Sequence, residues 1–495
     1  MNEKAPRRML AALTVVVLGA LFGFRDLPMV DLPQHAAQIA AWLNWGDPAY
    51  RTHELELNFR TPYLLAYPLA RWLAPLFGVV GALKLVVAAG FVAHVAGTDR
   101  LVRRLGHDPW LALLGVPTAL GYAFCFGFVS FLVAVPPVLF AVAEAVGHSE
   151  RPTLRSGVVL SALLSLTLLA HGIALALAML AVGPLLLRGG GRFVARTAPL
   201  LVPVALGALW LAPGSSTERI GDTYWAVSFE RLLELPGMLV GIGSADRAAS
   251  AAGLLLFATA GFLVGTPSRR PERWLPLVLS LLGYVAFPAL FRGVGPLSPR
   301  FVVLAVPALL LAFEPRAAHP KVRTKLARGA LVAVAAGWVL TWTLRLPAYN
   351  RETAGLHALV EGMKAGMSLR PIVFERESRA YPGVPALLHL PAYYQVKKGG
   401  TQGYSFAMYP ISVVRYRAGV PARMGGGLEW RPEAFDFASE RARYDVFVVH
   451  SSRDRTRELF GEARDVVLAD KRGNWWAYAL PPPTPPALSV SSKTE

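Results

Sequence analysis

The chain has 495 residues, of which 54% are hydrophobic and 17% charged, with a mean hydropathy of +0.42. That apolar content, arranged in repeated long runs, exceeds what one water-soluble core needs and points to a polytopic membrane protein. The formal charge of +18 is split into short Lys/Arg clusters between apolar runs, the pattern of cytoplasmic loops, which argues against a nucleic-acid partner. The single cysteine, Cys125, excludes an intrachain disulfide and a cysteine metal cluster.

In chain order, Lys4, Arg7 and Arg8 precede an apolar segment, Met9 to about Phe24, that lacks a small-residue cleavage site. It reads as an uncleaved first helix starting in the cytoplasm. Residues 25–77 then form a large outer loop with two surface helices, Pro33–Trp45 and Pro62–Phe77. The loop opens on Met29-Val30-Asp31-Leu32-Pro33-Gln34-His35, where Asp31 and His35 are four apart around a proline suited to a first helical turn, so they share one helical edge. Gly78–Ala96 returns inward to Arg100, Arg103 and Arg104; Trp110–Tyr122 goes out, and Phe126–Val146 comes back.

The next apolar run, Gly157–Leu187, spans roughly 30 residues against about 20 for one crossing. Arg151 and Arg155 precede it, and Arg188, Arg192 and Arg196 follow it; if both clusters are cytoplasmic, the run goes out and returns, turning at His171-Gly172. Crossings follow over 193–212, 249–264, 274–290 and 301–313, and a last one ends near Leu346, about eleven in total. Residues 347–480 mix charge, Gly and Pro with strand-like pieces at 372–374, 446–450, 466–469 and 475–480, a hairpin connection at 470–474 and a short helix at 453–459. The expected architecture is a mostly α polytopic membrane domain, residues 1–346, followed by a small extracytoplasmic α/β domain, 347–480. Residues 481–495, rich in Pro and Ser, read as a disordered tail.

This combination is similar to the GT-C superfamily of polyprenyl-phosphate-dependent glycosyltransferases: a first helix that starts inside, a large first outer loop with an early acid and two surface helices, many short crossings and an outer carboxyl-terminal domain. The resemblance covers the whole chain in architecture and the Asp31 region in motif. It implies a membrane enzyme of the cytoplasmic (inner) membrane that takes a sugar from a polyprenyl-phosphate carrier, with Asp31 as base or metal ligand. The family's frequent second adjacent acid is replaced by Leu32, which leaves activity and metal dependence open.

Glycosyl transfer needs a base for the acceptor hydroxyl and cations for the leaving phosphate. Asp31 is the candidate base, against a plain role as helix cap. His35 is placed to orient the acceptor, bind a metal or pair with Asp31, or simply to hydrogen-bond backbone. His171, an imidazole inside an apolar run, is a site candidate or a packed residue at a helix break, and would serve as the base of a multipass acyltransferase. Arg300, Arg292 and, with less support, Arg60 are candidates for the phosphate or for lipid headgroups. His53, Glu54 and Glu56 are weak candidates for a divalent cation, or a charged strand edge. Asp222, Tyr224, Trp225, Tyr393, Tyr394, Gln395 and Lys397 are candidates for sugar contact, or ordinary loop residues. A non-catalytic carrier, translocator or assembly subunit of lipid-linked sugar is the competing function.

Overall fold

The computed structural model describes residues 4–188, 191–211, 222–225, 227–291, 295–315, 321–463 and 465–480; the expected tail and Arg292 lie outside them. Among the described residues, six helices are long and apolar enough to cross a membrane: Lys4–Gly23, Ala66–Leu105, Pro109–Phe126, Val129–Glu150, Phe193–Leu211 and Val322–Gly362. Shorter apolar helices at Leu154–Ala170, Gly172–Leu186, Arg247–Gly261 and Ser298–Ala312 pack among them, together with Pro271–Ala286. Leu76, Leu154, Val204, Leu209, Leu254, Phe262 and Leu340 are left exposed, as a bundle surrounded by lipid tails requires.

Two breaks shape the bundle. Ala66–Leu105 bends at Gly78, whose φ of 69° falls where glycine is favoured; this separates the expected surface helix from the crossing after it. The second break is at His171, in extended backbone between Leu154–Ala170 and Gly172–Leu186. At 17 and 15 residues these helices are roughly 26 and 22 Å long, short of the ~30 Å hydrocarbon core, so the long apolar run is a pair.

The last helix runs from Lys321 to Gly362 and does not end near Leu346 as expected. Beyond Leu346 its side chains change surroundings: Tyr349, Thr353, Leu356, His357 and Val360 are buried against protein. The polar composition there therefore marks the departure from lipid without ending the helix.

The carboxyl-terminal residues form a five-stranded sheet in the order 401–402, 368–373, 446–450, 475–479, 467–472, parallel across its first three strands and antiparallel across the rest. Alternation divides its faces: Leu369, Val446, Val448, Trp475 and Ala477 join the main core, whereas Ile372, Phe447, Val449, Trp476 and Tyr478 make a second cluster with Leu459 and Phe460. The expected strands are present with shifted ends, and the hairpin turn is tighter than 470–474 because the 467–472 strand runs up to it. A short ladder pairs Leu55–Leu57 with Val414–Tyr416, tying the first loop to the end of the chain.

A second tie is buried. Asp26 Oδ2 accepts from Thr353 Oγ1 at 2.6 Å and His357 Nε2 at 2.8 Å, while Asn350 exchanges two 3.0 Å hydrogen bonds with the Asp26 backbone. Burial opposes the charge on Asp26, but the His357 and Thr353 bonds outweigh it and hold the carboxyl below its usual range. A carboxylate lowered in this way stabilises the fold above the ordinary aspartate pKa of about 4, and the contribution is lost as pH falls through the folded value. Thermal unfolding in detergent should show Asp26→Asn less stable at pH 7 by about 2 kcal/mol, with a smaller further loss than wild type on acidification below about pH 4. Equal acid sensitivity in the two proteins would remove Asp26 from the account.

Candidate functional site

Asp31 is placed by backbone before side chain. Val30 and Asp31 each donate an N–H at 3.0 Å, to Cys125 O and Phe126 O, in the turn between two crossing helices. That approach requires Gly127: its φ is 79°, and a Cβ there would lie 2.8 Å from the Asp31 nitrogen. Pro33 starts the helix Leu32–Leu43, but the Asp31 side chain makes no capping bond. Its Oδ1 accepts from His389 Nδ1 at 3.0 Å. Among the described residues no side chain or backbone group bonds Oδ2.

His389 arrives from the far end of the sequence. Its ring stacks on Tyr404, centroids 4.8 Å apart, and donating through Nδ1 leaves Nε2 as a buried lone pair without a partner. Glu429 lines the same space with Oε2 buried and unpaired. Burial raises the Glu429 pKa, and the nearby His389 only partly offsets that. His35, one turn after Asp31, sits 2.5 Å from Tyr67 Oη, and burial pushes its imidazole down to about 4, so it is neutral at pH 7. Gln34 secures this wall by donating to Tyr404 O at 3.1 Å and accepting from Phe406 N at 3.3 Å.

Across the space lies Arg300, 6% exposed, at the start of its apolar helix. Its Nε donates to Pro296 O at 3.0 Å, its Nη1 is 2.8 Å from His171 Nε2, and its guanidinium lies 4.3 Å from the Phe128 ring centre. His171 also caps the following helix, its Nδ1 3.2 Å from Ile173 N. Both ring nitrogens thus face donors, which disfavours His171 as an acyltransferase base. The two walls enclose a cavity of about 580 Å³ lined also by Tyr63, Phe126, Phe131 and Trp430.

Of the sequence candidates, Asp31, His35, His171 and Arg300 line this cavity, with Asp222 and Tyr224 at its margin. Others are elsewhere. Tyr394 Oη donates to Lys364 O and accepts from Met367 N, both at 2.8 Å; Gln395 accepts from Gln402 Nε2 at 3.4 Å; Lys397 pairs with exposed Glu361 at 3.2 Å. These bonds fasten a short helix away from the cavity, as does Tyr393, packed on His357, so the structure does not bring these candidates for sugar contact to it. Arg60 is exposed, reaches Leu209 O at 3.4 Å and does not line the cavity; nor does exposed Trp225. The His53, Glu54, Glu56 trio is no metal cage: Glu54 is held by Arg423 at 2.9 Å, Glu56 by Arg415 at 2.7 Å, and the His53 ring points to solvent. Sequence reasoning missed His389 and Glu429. Their only local signals are a histidine between two leucines and an acid after three glycines.

No protein-family model matches the chain, and no curated protein matches it by sequence. Solved structures do match. ArnT from Cupriavidus metallidurans in the apo state is 13% identical, with 96% of this chain and 98% of that chain covered at a TM-score of 0.59. The same protein bound to undecaprenyl phosphate gives 13% identity, 97% and 98% coverage and a TM-score of 0.58. The arabinofuranosyltransferase AftD from Mycobacteria is 17% identical over 96% of this chain and 40% of its own, at a TM-score of 0.48. The chain therefore has the fold of ArnT.

The close approach at Gly127 gives a direct test. Gly127→Ala should shift Asp31 and lower Tm by several degrees, whereas the same change at Gly183, with nothing within 4 Å, should leave Tm unchanged.

Proposed function

We propose that the protein is an integral membrane glycosyltransferase that moves a sugar from a polyprenyl-phosphate donor to an acceptor on the extracytoplasmic face of the inner membrane. The observation that carries this reading is one cavity with a carboxylate oxygen free on one wall and a buried arginine on the other. The shared fold supports it, since one of the matching ArnT structures is bound to undecaprenyl phosphate.

In the proposed reaction Asp31 Oδ2 takes the proton of the acceptor hydroxyl as that oxygen attacks the anomeric carbon. The bond from that carbon to the phosphate oxygen breaks, and the electron pair leaves on the lipid phosphate. The new glycosidic bond has inverted configuration, as direct displacement demands. His389 is a positioning residue that donates to Oδ1, fixing the orientation of the carboxylate. Arg300, already desolvated and stacked on Phe128, offers N–H donors to the departing phosphate. Among the described residues no group of three His, Cys, Asp or Glu side chains converges on a point where a cation could sit. No step is assigned to one.

The test is transfer from a radiolabelled polyprenyl-phosphate sugar in proteoliposomes. Asp31→Asn should lower kcat by about 10²–10⁴, the range of a positioned base. His389→Ala should lower it by less, about tenfold, with KM little changed. Arg300→Ala should weaken donor binding as well. Undiminished transfer by Asp31→Asn would falsify the role given to Asp31; tight donor binding with no transfer by wild type would favour the carrier.

A further inference from the structure

A second cavity, of about 600 Å³, lies away from the first, between the last long helix and the sheet. It opens where the parallel strands 368–373 and 446–450 end, the position at which open α/β sheets take ligands. Arg351, Arg376, Arg379 and Arg472 line it, with Glu352, Glu375 and Glu377.

Among the described residues no ion pair joins these arginines to these acids, although the Arg379 charge acts on the Glu375 carboxyl from farther away. Glu352 accepts from Ser378 Oγ at 2.7 Å and Ala380 N at 2.9 Å, and Glu375 accepts from Ser452 N at 2.7 Å, so both are spent on holding the loop. Arg351 and Arg379 are exposed to the cavity without an ion pair, and Arg472 is held only by Asp470 beside it. His450 donates Nδ1–H to Glu375 O at 2.7 Å and packs on Trp475 at 4.3 Å, which leaves Nε2 as an acceptor at the cavity wall. Unpaired guanidinium donors, an imidazole acceptor, Glu377 and Asn474 together suit a ligand that carries both an anionic group and hydroxyls.

We infer that this cavity is a binding site for an anionic saccharide, a sugar bearing phosphate or carboxylate. Arg376 donates to Trp430 O at 3.2 Å and stacks on that indole, which lines the first cavity, so one contact connects the two walls. The inference does not depend on the transfer chemistry.

Binding is measured on the full chain in nanodiscs, following tryptophan fluorescence, with glucose 6-phosphate, galacturonic acid oligomers and neutral maltooligosaccharides as probes. The phosphate and carboxylate arms identify which anion is preferred, and binding of either with at least tenfold preference over the neutral sugars supports the site. Arg351→Ala with Arg379→Ala should weaken that binding at least tenfold, while Arg457→Ala, a change at a residue 90% exposed elsewhere, should leave it intact. Both arginines of the double variant are exposed and unpaired, so folding is expected to survive, as an unchanged Tm would verify. No binding, equal binding of neutral and charged sugars, or indifference to the double variant overturns the assignment.

Discussion

The hydrogen bond between Asp31 and His389 joins residues 358 positions apart and draws together the two parts of the chain that differ most in character. Everything that shapes the first cavity is arranged to make that contact possible. The backbone of the 125–127 turn receives Asp31, the Asp26 cluster moors the preceding loop to the last helix, and Gln34 fastens the following helix to the segment bearing Tyr404 and Phe406. A carboxylate removed from water is costly unless hydrogen-bonded, so the seam between the first loop and the carboxyl-terminal residues is the condition for having a buried carboxylate at all.

The opposite wall follows from a different constraint. Inside lipid, backbone groups freed by a helix break must be satisfied by protein, and at His171 the imidazole takes the amide of Ile173 while its other nitrogen meets Arg300. Two short apolar helices are tolerable here because the break between them faces a protein-lined hollow. One arrangement therefore closes the helix pair and positions a cation facing the hollow.

Much of this was legible from residue order. Charge clusters flanking 157–187 called for a turn at His171, and the Pro33 helix start put Asp31 and His35 on one edge; these inferences rest on bilayer thickness and helical periodicity, which act locally and strongly. Tyr394, Gln395 and Lys397 lie away from the cavity, which residue order could not tell, because a polar, aromatic cluster reads the same whether it meets a sugar or fastens a helix to its neighbour. The same ambiguity attached to Glu54 and Glu56, whose arginine partners lie more than 350 residues away.

The sequence by itself determined the membrane class, the number and sequence of its apolar runs, the break at His171 and the early acid, since these depend on composition and spacing within single segments. Only the tertiary structure decided that His389 and Glu429 stand beside that acid, that the last helix continues to Gly362 and that the sheet shares the main core. Those facts are set by packing between segments far apart in the chain, and no periodicity within either segment encodes which distant surface it will meet.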